Sequence, residues 1–509
     1  QTIEESLNKT SEYLSSFEND NFIPNHGFDS IDGELRFLGI ENTAIEPTGF
    51  KKIASIVDQV KGHQKFFKKF KEYYPTLNTQ TEPLEDLSFL KKEIDLIVDR
   101  FGEIKNTASP ALADLRRQMA EVRSKINQSF GAALSSALSN DYLDEIKESF
   151  IDYRRVLAVK ATYRKKVKGT LMGSSKTGSI VYIVPESTQR YFRELADLEY
   201  EEAEEVRRIL IVLTDTIRPF KPDLIKFQDY LVGIDLIAAK AKFARDINGI
   251  KPQLNTNRSL NLKDAFHPLL YLQNKQEKKE TFPQSIQLHP ENRIIVISGP
   301  NAGGKSITLK TVGLLQLMVQ AGILIPVHRT STVCIFDRFL TDIGDNQSIE
   351  NHLSTYSYRL KNMNQFLKKC NDSTLFLIDE FGTGSDPELG GALAETFLET
   401  FYEKESYGVI TTHYSNLKLL ANELECASNA NMLFDNRTLE PTYQLVLGEA
   451  GSSFTFEVAQ KNGIPYSLIN RAKKKIEKGK IRFDATIAKL QKERSKITKT
   501  EDRDRKSVV

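Results

Sequence analysis

Arg293-Ile294-Ile295-Val296-Ile297-Ser298 runs straight into Gly299-Pro300-Asn301-Ala302-Gly303-Gly304-Lys305-Ser306. The first six residues have the unbroken apolar character of a strand covered on both faces. The next eight fit the spacing GxxxxGK[ST]. Leu309, Val312, Leu315, Met318 and Val319 follow at helical spacing. Strand, glycine loop and helix together read as a phosphate-binding loop. Its glycines let the backbone curl so that several N–H groups face one phosphate. The helix behind it adds its positive N-terminal end. Lys305 brings a charge to the β- and γ-phosphates, and the Ser306 hydroxyl is a ligand for Mg²⁺.

A second strand-like run, Thr374-Leu375-Phe376-Leu377-Ile378, ends in Asp379-Glu380. An acidic pair after an apolar run is a weak signal by itself, but about 70 residues beyond a phosphate loop it is a strong one. Asp379 is expected to hold the metal, and Glu380 to polarise the attacking water. A third strand, Gly408-Val409-Ile410-Thr411-Thr412, delivers His413. The order of these elements favours contact with the γ-phosphate over a purely structural histidine. The expected fold is α/β, a phosphate-loop domain preceded by a mostly α-helical core and lever region with a small β-hairpin clamp.

Upstream, Leu112, Leu115, Met119, Val122 and Ile126 mark one apolar helix face. From Ser187 to Arg218 the chain runs 32 residues without Gly or Pro. As one helix it would span roughly 48 Å. Between them, Gly/Ser turns flank the β-prone run Ile180-Val181-Tyr182-Ile183-Val184. The segments are expected as helical core (1–85), outgoing lever helices (86–157), hairpin clamp (158–186), returning lever and core helices (187–250) and a connector (251–292). The ATPase domain (293–447), a helix-turn-helix segment (448–476) and a basic helical tail (477–509) complete the chain. At the hairpin, Arg164, Lys165, Lys166, Lys168 and Lys176 have no acidic residue among them. They are expected to contact a nucleic-acid backbone, with a solvated turn as the bland alternative.

The 509 residues are 40% hydrophobic and 27% charged, which excludes wholesale disorder. No 18-residue apolar stretch suggests a membrane span, and no apolar leader precedes the acidic start, so a cytoplasmic protein is expected. Cys334, Cys370 and Cys426 lie too far apart for a metal-ligand spacing. The net charge of +2 conceals a tail, from Arg471 onward, with 15 Lys/Arg against 6 Asp/Glu. Such a tail suits nucleic acid or ribosomes, or is merely a solvated helix.

Taken in order, the three elements resemble the ABC-type ATPases and, within them, the MutS family. Asp379-Glu380-Phe381-Gly382-Thr383-Gly384-Ser385-Asp386 is similar to that family's Asp-Glu-Leu-Gly-x-Gly-Thr-Asp signature, departing conservatively at Phe381 and Ser385. Asp342 to Glu350 with Leu353-Ser354-Thr355-Tyr356-Ser357 resembles the family's loop that reaches the partner subunit's nucleotide, and 448–465 resembles its dimerisation segment. Gln347-Ser348-Ile349-Glu350 and Ala265-Phe266-His267-Pro268-Leu269-Leu270, with the hairpin, resemble the type-two bacterial paralogue, which lacks a mismatch-reading domain. Phe401-Tyr402-Glu403 matches a mismatch wedge by letters only, and reads as packing.

The resemblance implies a homodimeric clamp that hydrolyses ATP with Mg²⁺. Nucleotide would be bound by Gly299, Pro300, Asn301, Ala302, Gly303, Gly304, Lys305, Ser306 and Ile307. Ser306 and Asp379 would hold the metal, Glu380, His413 and Lys305 would act in catalysis, and Ser354 would reach across to the partner's site. The substrate would be structured DNA, stalled or collided ribosomes, or both. The alternatives are a lever-bearing ABC ATPase of chromosome or repair type, which needs an LSGGQ-type signature not found here, and a non-hydrolysing ATP-binding scaffold, disfavoured by the acidic pair. No Leu-Asp-Leu-His-Gly-like motif is present, so no nuclease activity is assigned to these residues.

Overall fold

The computed structural model describes residues 2–19, 21–300, 303–344, 355–383, 386–435, 440–452 and 455–475. The chain divides into two compact units. One is Ile23–Asp235, and the other joins Gln1–Phe22 to Leu236–Val509.

The second unit is built on a six-stranded sheet. Its order is Arg338–Asp342, Thr374–Ile378, Tyr407–Thr411, Ile294–Ser298, Ala427–Asp435 and Glu440–Leu447. The first five are parallel and the last is antiparallel to its neighbour. Central strands buried on both faces need apolar residues at every position, and Ile294–Ser298, Thr374–Ile378 and Tyr407–Thr411 are buried throughout. Their side chains alternate between two cores. Ile295, Ile297, Leu375, Leu377 and Val409 join Leu309, Val312, Leu315 and Val319 of the helix Lys305–Gln320. Ile294, Val296, Phe376 and Ile378 join Met363, Phe366, Leu398 and Phe401 on the opposite side. Phe401 is fully buried, with its ring 5.0 Å from that of Phe376, so Phe401 of the Phe-Tyr-Glu triplet is a core residue, while Tyr402 is half-buried and Glu403 exposed. A smaller four-stranded sheet (Gln253–Leu254, Thr332–Val333, Leu260–Ala265, Gln284–Leu288) precedes and flanks the phosphate-loop strand in sequence.

The helix Ile3–Ser15 belongs to this unit, not to a continuous 1–85 core. Leu7 enters the core around the helix Lys305–Gln320, and Thr10 Oγ1 donates to Gly322 O at 2.8 Å. The chain leaves the unit at the turn-rich Ile23-Pro24-Asn25-His26-Gly27.

In the first unit, Pro110–Ser139 and Glu186–Ile217 are single long helices of 30 and 32 residues. Met119, Val122 and Ile126 of the former pack on Leu198 of the latter. Between them lies a four-stranded antiparallel sheet ordered Leu143–Ile151, Arg154–Lys160, Ile180–Pro185, Gly169–Ser174. This corrects two expectations. Residues 143–157, assigned to outgoing helices, are strands, and the hairpin is half of a larger sheet. The cause is local: Asp152 and Tyr153 adopt left-handed φ of 48° and 60°, the geometry of a tight hairpin turn. The β-branched and apolar run Val156-Leu157-Ala158-Val159 is buried at every position.

Candidate nucleotide site

The phosphate loop leaves its strand at Gly299, where φ is +133° and a Cβ would lie 3.0 Å from the Met432 carbonyl oxygen. It enters its helix at Gly304, with φ of +95°. Both positions require glycine. Lys305 is only 3% exposed, and its Nζ donates to Gly299 O at 2.8 Å and Pro300 O at 3.0 Å. The ammonium thus lies back over its own loop. Burial pushes its pKa down to about 8, against the pull of Glu380 and Asp379. Asn301 and Ala302 lie outside the described residues.

Asp379 follows the buried strand Thr374–Ile378 and remains largely buried. Its Oδ1 accepts from Ser306 Oγ at 3.0 Å and from Thr411 Oγ1 at 2.6 Å. Ser306 and Asp379 are therefore brought together from positions 73 residues apart. A hydroxyl and a carboxylate at the N-terminus of the phosphate-loop helix are the hard oxygen donors that suit Mg²⁺. The residues fit that ion.

Glu380 has a left-handed φ of +50°, strained for a non-glycine residue. Its N–H donates to Thr411 Oγ1 at 2.8 Å. Its carbonyl accepts from Arg359 Nη1 at 2.9 Å and Thr383 Oγ1 at 2.8 Å. His413 lies at the end of the neighbouring strand, where Thr412 N–H donates to Ile297 O at 3.1 Å. Burial, with Lys305 and Lys418 nearby, pushes its pKa down to about 4. The ring is neutral at pH 7, and its buried Nε2 has no hydrogen-bond partner among the described residues.

Three features of the site escaped the sequence reading. Thr411 is a bracket between the two acids. Gly451 N–H donates to Ser298 Oγ at 2.7 Å, while Lys418 Nζ donates to Gly451 O at 2.8 Å, tying residue 451 to the root of the phosphate loop. Beside Gly304 and Ile307 opens a cavity of about 260 Å³ lined by Leu270, Asn274, Phe282 and Tyr443. The Phe282 and Tyr443 rings stack at 5.5 Å with an interplanar angle of 23°. Two aromatics in otherwise polar stretches, Thr281-Phe282-Pro283 and Thr442-Tyr443-Gln444, were the available signal.

Other candidates lie elsewhere or beyond description. Ser354, Gly384, Ser385 and the tail from 476 fall outside the described residues. In the helix-turn-helix segment (Thr455–Lys461, Tyr466–Lys475), Ile469 is buried and Ile464, Tyr466 and Leu468 are exposed. Phe454 is outside the described residues. At the sheet of the other unit, Lys176 occupies the turn after Gly169–Ser174, whereas Lys168 precedes that strand at its far end. A six-residue strand spans about 20 Å, so the five basic residues do not form one cluster.

MutS domain V matches residues 295–480. The chain is 37% identical to Endonuclease MutS2 of Finegoldia magna over 462 residues, covering 90% of this chain and 58% of that protein. It is 33% identical to Endonuclease MutS2 of Bacillus velezensis over 476 residues, 93% of this chain and 60% of the relative. The Putative endonuclease MutS2 of Bacillus subtilis matches over the same length at 33%. The chain thus spans roughly three fifths of the length of these relatives. Among the described residues no helix is long and apolar enough to cross a membrane.

Proposed function

We infer that this chain, which belongs to the MutS family as a MutS2-type paralogue, hydrolyses ATP to ADP and phosphate at the site around Lys305 and Glu380. The observation that carries the reading is the Ser306–Asp379–Thr411 linkage, with distances of 3.0 and 2.6 Å. It joins the phosphate loop, the acidic strand end and the third strand at one point, next to Glu380 and His413. Mg²⁺ held by Ser306 and Asp379 would supply charge neutralisation on the β- and γ-phosphates.

The chain's own residues do the rest. Lys305 swings from the carbonyls of Gly299 and Pro300 to the entering phosphates. The loop amides and the N-terminus of Lys305–Gln320 receive the anion. Glu380 takes up the proton of the attacking water and orients it. Neutral His413 offers Nε2 toward the γ-phosphate. The purine ring enters the cavity between Leu270, Phe282, Ile307 and Tyr443.

For the whole protein we propose a homodimer that couples this cycle to a nucleic-acid clamp. The exposed Ile464, Tyr466 and Leu468 supply apolar surface for a second copy. Ser354 completes the partner's site. Arg164, Lys165, Lys166, Lys168 and Lys176, spread along the sheet between the two long helices, meet the phosphate backbone of structured DNA or of ribosomal RNA.

The test is phosphate release from ATP by the purified chain, with Lys305→Ala alongside. Turnover in the wild type that is lost with Lys305→Ala, together with nucleotide affinity, supports the reading. Equal rates in both would exclude this site. Capture on a Glu380→Gln variant loaded with ATP then separates DNA from ribosomes as the partner.

A further inference from the structure

The backbone of Glu380 is gripped from both sides. On its amide side stands Thr411. On its carbonyl side three donors converge: Thr383 N–H at 3.1 Å, Thr383 Oγ1 at 2.8 Å and Arg359 Nη1 at 2.9 Å. The same Arg359 Nη1 donates to Thr383 Oγ1 at 2.8 Å, which closes a ring of contacts around the turn 380–383.

Arg359 is itself fixed. It sits on the helix Thr355–Lys369, one turn before Asn362. Its side chain is 12% exposed, and its Nε lies 4.0 Å from Oδ2 of the buried Asp342. Asn362 Nδ2 donates to the other oxygen of that carboxylate at 2.9 Å. Asp342 in turn accepts the Asp379 amide on its backbone carbonyl at 2.9 Å. A guanidinium is a planar fork whose donor directions are set once one side is anchored. Here the Asp342 carboxylate faces the charge from one side as an ion pair, and Nη1 holds the carbonyl of the one residue in the acidic pair that has a strained, left-handed backbone. A left-handed glutamate persists only where its surroundings over-determine it.

Resting on the reading of Glu380 as the residue that orients water, we propose that Arg359 is its positioning residue. Arg359 holds the 380–383 turn so that the Glu380 carboxylate faces the phosphate loop, without itself touching nucleotide. This role differs from that of Lys305 and Ser306, because it affects the chemical step and leaves nucleotide binding alone.

The experiment compares wild type, Arg359→Met, Arg359→Lys, Glu380→Gln and the Arg359→Met/Glu380→Gln double variant. Steady-state hydrolysis, equilibrium binding of a fluorescent ATP analogue, and crystal structures of the two Arg359 variants are the readouts. Misplacing a catalytic group by an ångström costs on the order of 10²-fold. Arg359→Met is therefore expected to lower kcat by about 10²-fold with KM and analogue binding unchanged. Arg359→Lys, which keeps one donor and the charge, recovers part of that loss. The double variant is no slower than Glu380→Gln alone, because the two act as a unit. In the Arg359→Met crystals Glu380 leaves the left-handed region. Parallel loss of binding and turnover, multiplied losses in the double variant, or an unaltered Glu380 turn in the crystals would overturn the proposal. Absence of hydrolysis by the wild type would instead sink the ATPase reading, and the Glu380 turn in the Arg359→Met crystals would still decide the positioning role.

Discussion

The Thr411 hydroxyl donates to Asp379 Oδ1 at 2.6 Å and, through its remaining lone pairs, accepts the Glu380 amide at 2.8 Å. One side chain on the third strand therefore sets the spacing of both acids on the second. Thr411→Val keeps the shape and removes the hydroxyl. It leaves the half-buried Glu380 amide without this acceptor and the buried Asp379 oxygen one donor short, which costs about 1–3 kcal/mol. We expect a lower denaturant midpoint with unchanged m-value, and slower ATP turnover. Denaturant unfolding and phosphate release measure the two effects, and wild-type behaviour in both would show that the bracket is dispensable.

Gly451 ties the segment before the helix-turn-helix to the phosphate loop by close approach. A Cβ there would lie 2.2 Å from Asn431 Oδ1 and 2.9 Å from the Gly299 amide nitrogen. Since Gly299 is the root of the loop, Gly451→Ala is expected to weaken nucleotide binding and to destabilise the fold by about 1–3 kcal/mol, the usual cost of overpacking. Gly233→Ala in the helix Lys221–Asp246 meets nothing within 4 Å. That control should gain about 0.5–1 kcal/mol from helix propensity. Fluorescent nucleotide titration and thermal unfolding of both variants check the contrast.

Lys305 should give nucleotide binding a pH dependence. Its pKa is pushed down to about 8 by burial, so the apo side chain is charged below that pH and neutral above it. Phosphate binding requires the charged form and returns the pKa upward. Affinity should therefore be flat below pH 8 and fall above it, by up to about tenfold per pH unit, with proton uptake on binding. Calorimetry in buffers of different ionisation enthalpy reads that proton, and Lys305→Ala should abolish the dependence. His413, pushed down to about 4, stays neutral throughout this range and contributes no slope.

The Phe282–Tyr443 stack predicts a binding effect of a different kind. Phe282→Ala removes one wall of the cavity beside Gly304, far from the acids in sequence. KM for ATP should rise about tenfold with kcat little changed, the pattern of lost uniform binding. A fall in kcat at constant KM would place the ring in the chemical step instead.

Much of the ATPase domain could be read from the chain because its signals are local. The strand Ile294–Ser298, its glycine loop and its helix are contiguous, and the acids and His413 each end an apolar strand. The long helices Pro110–Ser139 and Glu186–Ile217 were legible from apolar spacing and from an unbroken run without Gly or Pro. The strand Leu143–Ile151 was not, because Glu145, Lys147 and Glu148 give it the composition of a solvated helix. Arg359, Thr411, Gly451 and Phe282 carry no motif. Their importance comes from contacts with residues 17 to 161 positions away, which only the folded chain creates. The same holds for the basic residues near the sheet. Their adjacency in sequence suggested one cluster, whereas a full strand separates Lys168 from Lys176.

The central claim is that Glu380 acts on water while the phosphate loop binds nucleotide. Single-turnover hydrolysis of ATP by Glu380→Gln, with binding of the same nucleotide measured in parallel, tests it most directly. Glutamine keeps the size and the backbone contacts but cannot take a proton. The account predicts wild-type nucleotide affinity with the chemical step slowed by about 10²-fold or more. A variant that hydrolyses ATP at the wild-type rate, or that loses binding and hydrolysis together, would contradict it.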